Sequence, residues 1–358
     1  MKRTFHIKCL PLPPNQHIMK KIAILALGLL PALPATADEG KEEKAKTDYR
    51  PVVHGTLRGK YEYQPEEKAG RFQVRTARVS IEGKVAPVVA YKAEIDLSDE
   101  GKIKMLDAYT RLSPLKGFDF TIGQMRVPFT IDAHRSPHQQ YFANRSFIAK
   151  QVGNVRDVGA TLGYKIDGSL PLTLQAGVFN GSGLTDQKDF WTNNINYSAK
   201  AQWQLPKGFS VTLSAQKIRP EHISVNMYDG SITYKSGRWT AEAEYLYKHY
   251  TKDAFRDVNA FDGFICYDLP LKKIFSKISF LGRFDYMGDH SDGTADENGH
   301  LTLTDAERKR ITGGITLSIA KPFISDIRIN YEKYFYNDGV TPKVSEQDKI
   351  VIEFITRF

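Results

Sequence analysis

The stretch Val89-Ala90-Tyr91-Lys92-Ala93-Glu94-Ile95-Asp96-Leu97 alternates between two kinds of side chain. Its odd-numbered members are apolar, and its even-numbered members include Lys92, Glu94 and Asp96. A period of two residues is that of an extended strand with one apolar and one polar face. The stretch therefore predicts a β-strand between an apolar medium and water.

Similar runs recur from residue 53 to the C-terminus, and sixteen can be counted. Strands of about 9–11 residues in an even number are typical of a closed antiparallel barrel in a bacterial outer membrane. Two runs, 104–113 and 225–236, alternate weakly, so fourteen or eighteen strands stay open. The runs lie near 53–63, 72–85, 88–98, 104–113, 117–125, 157–166, 171–179, 194–205, 208–217, 225–236, 238–249, 259–268, 276–287, 310–320, 325–336 and 348–358.

The composition excludes other protein classes. The chain has 358 residues, 41% hydrophobic and 25% charged, with a mean hydropathy of −0.40. A polytopic helical membrane protein needs several runs of about 20 apolar residues, and outside the N-terminus no run approaches that length. The 18 Tyr, 20 Phe and 3 Trp are too many for a disordered chain. A membrane barrel fits, because its strands need apolar residues only at alternate positions.

The N-terminus resembles a secretory signal peptide. Met19-Lys20-Lys21 is followed by an apolar stretch over 22–33 and by Ala35-Thr36-Ala37, which predicts cleavage after Ala37. We expect residues 1–37 to be an N-terminal extension and signal peptide, 38–50 a charged mobile lead-in, and 51–358 the barrel domain. Residues 1–18 either precede the true start at Met19 or form an amphipathic extension from Met1.

Removal of this leader changes the charge. Residues 1–37 hold five basic and no acidic residues, so the formal charge falls from +9 to +4. An exported chain without a basic motif is not expected to bind nucleic acid. Of the two cysteines, only Cys266 stays, so we expect a chain without internal disulfides in which Cys266 is a small apolar residue of a strand.

The C-terminal strand adds a targeting signal. Ile350, Ile352, Phe354 and the terminal Phe358 fall on one face. An alternating last strand with a final Phe resembles the recognition signal of outer-membrane barrels. It predicts a bacterial outer-membrane location and the barrel-assembly machinery as a partner through Phe358.

One long connection, from Arg126 to Asp157, concentrates positive charge. Its basic residues are Arg126, Arg135, Arg145, Lys150 and Arg156, against Asp132 and Asp157, and His134 and His138 could add charge at low pH. Its apolar anchors include Pro128, Phe129, Tyr141, Phe142 and Phe147. Such anchors predict an inward-folded third loop that packs on the barrel wall, narrows the pore and favours anions. Alternatively, the basic residues bind lipopolysaccharide phosphates or pair with acidic wall residues.

The strands predict a mixed lumen. The basic residues with the parity of the water-filled side are Arg58, Lys60, Arg78, Lys84, Lys92, Lys200, Arg283 and Arg328. The acidic ones are Glu94, Asp96, Glu242 and Glu244. The case for anion preference therefore rests mainly on the loop and on the first two strands.

Five motifs between residues 75 and 159 resemble the phosphate-selective porin O/P family. They are Arg75-Thr76-Ala77-Arg78-Val79-Ser80-Ile81-Glu82-Gly83, Leu97-Ser98-Asp99-Glu100-Gly101, Leu106-Asp107-Ala108-Tyr109, Ile122-Gly123-Gln124-Met125-Arg126-Val127-Pro128-Phe129 and Asn154-Val155-Arg156-Asp157-Val158-Gly159. The resemblance implies a sixteen-stranded homotrimer whose basic pore passes phosphate or other anions. It aligns Arg75 and Arg78 with the family's arginine-rich strand, where Thr76 replaces an arginine, and Arg126 with its basic residue before Pro-Phe.

We therefore predict an outer-membrane porin for passive, anion-preferring diffusion of small solutes, phosphate or polyphosphate among them. Its pore or anion-binding residues would be Arg58, Lys60, Arg75, Arg78, Arg126, Arg135, Arg145, Lys150 and Arg156. Outer-membrane lipid and lipopolysaccharide would surround it, and no cofactor is expected.

Three alternatives are weaker. The first, a general diffusion porin with weak selectivity, is supported almost as well as the main prediction. An outer-membrane barrel enzyme would need a catalytic set, but His134, His138, His290 and His300 have no partner pattern, and no residues show metal-ligand spacing. A soluble periplasmic β-protein is disfavoured by Phe358 and by the even strand count.

Overall fold

The computed structural model describes residues 47–99, 101–153, 155–184, 187–220, 223–297 and 300–358. Within them, sixteen strands form one closed barrel, in which each strand pairs antiparallel with its sequence neighbours and the first pairs with the last. The strands are β1 (Val52–Gln64), β2 (Ala69–Ala86), β3 (Val89–Asp99), β4 (Lys102–Leu112), β5 (Phe118–Arg126), β6 (Arg156–Ile166), β7 (Leu172–Phe179), β8 (Asn196–Gln204), β9 (Phe209–Ile218), β10 (Val225–Ser236), β11 (Trp239–Tyr250), β12 (Val258–Pro270), β13 (Lys277–Met287), β14 (Arg308–Ile319), β15 (Ile324–Tyr336) and β16 (Lys349–Arg357).

The sixteen predicted strands are confirmed, and their ends differ from the observed ones by at most three residues. The weakly alternating runs 104–113 and 225–236 are β4 and β10, so counts of fourteen and eighteen are wrong. In the described part of the chain, no helix is long and apolar enough to cross a membrane.

Alternation of side chains separates the two faces of the wall. In β1, Arg58 and Lys60 are each 6% exposed, whereas Leu57, next to Arg58, is 53% exposed. The polar set faces the barrel interior, where it is covered, and the apolar set faces outward, where lipid would surround it. This two-sided wall accounts for a negative mean hydropathy in a membrane protein.

The connections at the two barrel ends differ in length. Tight turns such as 237–238 follow the even-numbered strands, and most long connections follow the odd-numbered ones. Long connections mark the extracellular end of outer-membrane barrels. The first two at this end, 65–68 and 100–101, are short, so the alternation of short and long connections begins only with the third.

The ends of the chain enter the fold differently. The predicted signal peptide and most of the lead-in lie outside the described residues, and residues 47–50 lead into β1 without regular secondary structure and are largely exposed. At the C-terminus, Phe358 and Gly55 exchange backbone hydrogen bonds of 2.8 and 3.1 Å next to the β1–β16 pair. The last residue thus takes part in closing the barrel.

Candidate functional site: the channel interior

The third connection at the extracellular end, here L3 (residues 127–155), lies against the inner wall of the barrel. The Pro128 carbonyl accepts a hydrogen bond of 2.6 Å from Ser198 Oγ in β8. The backbone N–H of Ile131 donates to Glu244 Oε1 in β11 at 2.7 Å. The N–H of Ala143 donates to Asn330 Oδ1 in β15 at 2.8 Å. Because these partners belong to widely separated strands, L3 crosses the lumen.

Apolar residues of L3 anchor it, as their number in the sequence suggested. Phe147 and Ile148 lie in a short helix, α1 (Phe147–Lys150), and pack with Met227 and Leu246 of the wall. The Ser146 hydroxyl accepts a hydrogen bond from the Ala149 N–H and caps this helix.

A second apolar cluster fixes the middle of L3. Phe142 packs on Phe264, with ring centroids 5.7 Å apart, and beside Cys266 and Leu281. Cys266 is buried in β12 and points into the barrel. The two clusters give L3 a packed core that a mobile external loop would lack.

Five of the nine basic residues predicted to line the pore form close ion pairs with carboxylates. Lys60 and Glu62 lie two residues apart on the same face of β1, whereas the other four pairs join different elements. Each pair offsets charge that would attract an anion. The pairs are Arg58 with Glu353, Lys60 with Glu62 (2.7 Å), Arg78 with Asp96 (2.9 Å), Arg135 with Glu242, and Arg156 with Asp107 (2.6 Å). The contacts of these five residues therefore agree with the alternative prediction, in which basic residues of L3 and the wall pair with acidic wall residues.

The other four are less compensated. Arg75 lies 3.7 Å from Asp99. In the described part of the chain, Arg126, Arg145 and Lys150 form no ion pair: Arg126 donates to the His134 carbonyl and Ser136 Oγ, and Arg145 donates to L3 carbonyls. Lys150, at the end of α1, is exposed to the lumen. These three residues carry the unneutralised charge of L3 and its approach.

A basic cavity of about 350 Å³ lies between L3, the first two strands and the start of β16. Two acidic residues, Glu62 and Glu346, also line it. Its basic lining residues are Arg58, Lys60, Arg71, Arg75, Arg145, Lys150 and Lys349. Behind the lining, Glu353, Asp99 and Glu332 lie within ion-pair distance of Arg58, Arg75 and Lys349. The cavity keeps a net positive charge even with these three counted.

A second cavity, of about 260 Å³, lies between the start of L3 and the wall formed by β3 to β7. Lys92, Arg111 and Arg126 line it, against Asp107 alone among the charged lining residues described. Arg111 donates to Thr121 Oγ1 at 3.3 Å and lies 5.4 Å from the Tyr109 ring centroid. Positive charge therefore occurs in both of these cavities.

Sequence reasoning missed Arg71, Arg111 and Lys349. Arg71 was missed because a β-bulge opposite Arg58 and Gly59 inserts Arg75 as an extra residue, which changes the parity of β2. The alternation of Phe72 and Val74 with polar neighbours could have revealed it. Thr76, which replaces a family arginine, lies directly opposite Arg58 and is 3% exposed.

The histidines of L3 are uncharged in neutral and mildly acidic solution. Burial, and then the charge of Lys200, lowers the pKa of His134 to about 3. Burial and the adjacent Arg357, whose Nη1 is 2.7 Å from the ring Nε2, lower the pKa of His138 to about 4. Both rings would therefore add charge only in strongly acidic solution, at or below about pH 4. Among the described residues, no group of three or more His, Cys, Asp or Glu side chains could hold a metal ion.

Comparison with known proteins agrees with this geometry. Residues 55–204, which hold β1 to β8 and L3, match the family model described as phosphate-selective porin O and P. Over these residues the chain is similar to this porin family. The porin is accordingly an outer-membrane channel protein. No curated protein sequence matches it.

Solved structures show the same fold at low sequence identity. The anion-selective porin from Comamonas acidovorans has a TM-score of 0.61 and 11% identity, over 87% of this chain and 99% of that one. OprB of Pseudomonas putida has a TM-score of 0.62 and 10% identity, over 86% and 93%. The trimer form of OmpT from Vibrio cholerae has a TM-score of 0.53 and 11% identity, over 86% and 98%.

Proposed function

We propose that this porin lets small anions, phosphate and polyphosphate among them, diffuse passively through a pore narrowed by L3. The observation that carries the proposal is the basic cavity, which Arg145 and Lys150 line without a carboxylate partner in the described part of the chain. Fixed positive charge in a narrow, low-dielectric lumen lowers the barrier for anions and raises it for cations. The arginine side chains also suit phosphate, because the planar guanidinium can contact two oxygens.

The test is a reversal potential across planar bilayers in a KCl gradient. The wild-type porin should pass chloride in preference to potassium. Arg145→Glu and Lys150→Glu should each shift the reversal potential toward that of potassium, because each reverses one lumen charge. Lys309→Glu, on the outer face at the extracellular end of β14, is the matched control and should leave it unchanged. A cation-selective wild type would contradict the proposal.

Phosphate preference needs a separate measurement. Added phosphate at sub-millimolar concentration should reduce the chloride current, and Arg145→Gln should weaken this block. An unblocked chloride current would favour the second candidate, a general diffusion porin. Its supporting observation is that five of the nine predicted basic residues are already paired with carboxylates.

We also propose a homotrimer, by analogy with the trimer form of OmpT. Multi-angle light scattering of the detergent-solubilised porin should give three chains per particle. Recognition of Phe358 by the barrel-assembly machinery stays a prediction from the C-terminal sequence.

A further inference from the structure

The outer face of the barrel has an apolar groove of about 790 Å³ across β6 to β10. Three alanines on adjacent strands, Ala176, Ala199 and Ala215, form its floor, because register places each directly beside the next. Their neighbours on both sides are larger: Leu162 pairs with Ala176, and Tyr228 pairs with Ala215. One row further from the extracellular end, Leu174, Ala201 and Leu213 continue the surface. A shallow channel therefore runs along the strands on the lipid-facing side.

Two basic side chains lie at the extracellular end of this groove. Lys217 follows Ala215 by two residues on the same face of β9, and Tyr197 and Asn226 lie beside it in register. Its Nζ lies 5.5 Å from the Tyr197 ring centroid, and it forms no ion pair among the described residues. Arg219, two residues further, donates to Asn194 and likewise has no carboxylate partner in the part of the chain described. His249, which pairs with Asn226 in register, contacts the carboxylate of Asp257 at 2.8 Å.

We propose that the groove binds a phosphorylated lipid of the outer leaflet, namely lipopolysaccharide. Its acyl chains would lie over the alanine floor, and a phosphate of its headgroup would contact Lys217 and Arg219. Two properties of the site support this occupant. The groove ends at the level of Tyr197 and Tyr228, each 54% exposed, which is where an aromatic belt meets the headgroups. The two basic residues lie at the end with the long connections, which faces the outer leaflet.

The test uses the full porin in detergent and native mass spectrometry. Bisphosphorylated lipid A, dephosphorylated lipid A and phosphatidylethanolamine would be titrated in parallel. Lipid A should bind most tightly. Lys217→Gln and Arg219→Gln should each weaken its binding about fivefold, as expected for one basic residue near an anionic lipid surface. Lys309→Gln is the charge control and should bind lipid A as the wild type does.

The groove itself is tested by filling it. Ala199→Phe with Ala215→Phe should reduce lipid A binding at least tenfold, whereas Ala243→Phe, on the outer face of β11, should not. Because these side chains face away from the lumen, conductance should stay that of the wild type in every variant. Equal binding of lipid A by the filled and wild-type porins would overturn the proposal. Equal affinity of the porin for the three lipids would also overturn it. If the filled groove dissociated the oligomer but left lipid A binding unchanged, the groove would be a contact between proteins instead.

Discussion

At the scale of single residues, a basic side chain in this lumen has one of two roles. Arg135 holds L3 to the wall through a bidentate contact with Glu242, and its guanidinium lies 5.1 Å from the Tyr141 ring centroid. Lys150 forms no such contact and is exposed to the lumen. The two residues are alike in the sequence, but only Lys150 has charge left for a passing ion. Contacts, not residue type, therefore separate the basic residues that hold L3 from those that we propose attract anions.

Glu242→Gln should destabilise the porin by about 3 kcal/mol, because it leaves the Arg135 guanidinium poorly compensated inside the wall. Urea unfolding in detergent, followed by tryptophan fluorescence, measures this. Lys333→Gln is the matched control: it breaks an ion pair of 2.6 Å with Asp348, but the lysine side chain is 51% exposed. The control should cost less than about 1 kcal/mol. Equal losses in both variants would contradict the assignment.

The two half-buried histidines of L3 give a prediction about pH. Because burial lowers the pKa of His134 to about 3 and that of His138 to about 4, both rings stay neutral above pH 5. The double variant His134→Gln and His138→Gln should therefore have the wild-type profile of reversal potential between pH 5 and pH 7.5. If the reversal potential changed with pH in the wild type but not in the double variant, at least one histidine ring would become charged between pH 5 and pH 7.5.

At the scale of elements, the strands could be predicted and the contacts of L3 could not. The alternation over 88–98 predicts both ends of β3 to within one residue. The pattern is readable because only one face of the strand is in contact with water, so apolar and polar residues must alternate. Arg58 and Glu353 are far apart in the sequence and meet only because β1 pairs with β16 in one particular register. Local pattern contains no information about that register. The sequence therefore predicted most of the basic residues of the lumen, but not which of them are neutralised by a carboxylate.

The packing of L3 predicts the effect of loosening it. Phe142→Ala removes the ring that packs on Phe264 and Cys266, so the middle of L3 should move more freely and the pore should widen. Single-channel conductance in 1 M KCl should rise, with larger current fluctuations. Leu57→Ala, on the outer face of β1, should leave the conductance as it is. A conductance unchanged by Phe142→Ala would show that this part of L3 does not limit the pore.

At the scale of the whole molecule, the two halves of the barrel contribute differently. The family match covers residues 55–204, which include L3 and all nine of the residues predicted to bind anions. The second half supplies the wall that fixes L3: Glu242 and Glu244 of β11, Asp285 of β13 and Asn330 of β15. Sequence reasoning found the motifs of the first half, whereas it saw only strand rhythm in the second. The position of the basic loop nevertheless depends on that second half.

The buried thiol behind L3 gives the molecule an internal reporter. Cys266 is covered by Phe142 as long as L3 rests on the wall. In a chain whose Cys9 is replaced by serine, a maleimide dye added to the bath can label the barrel only while the loop is lifted. The rate of labelling would then count the excursions of the loop directly, in the native wall and without an engineered cysteine, and could be followed while phosphate or voltage is varied.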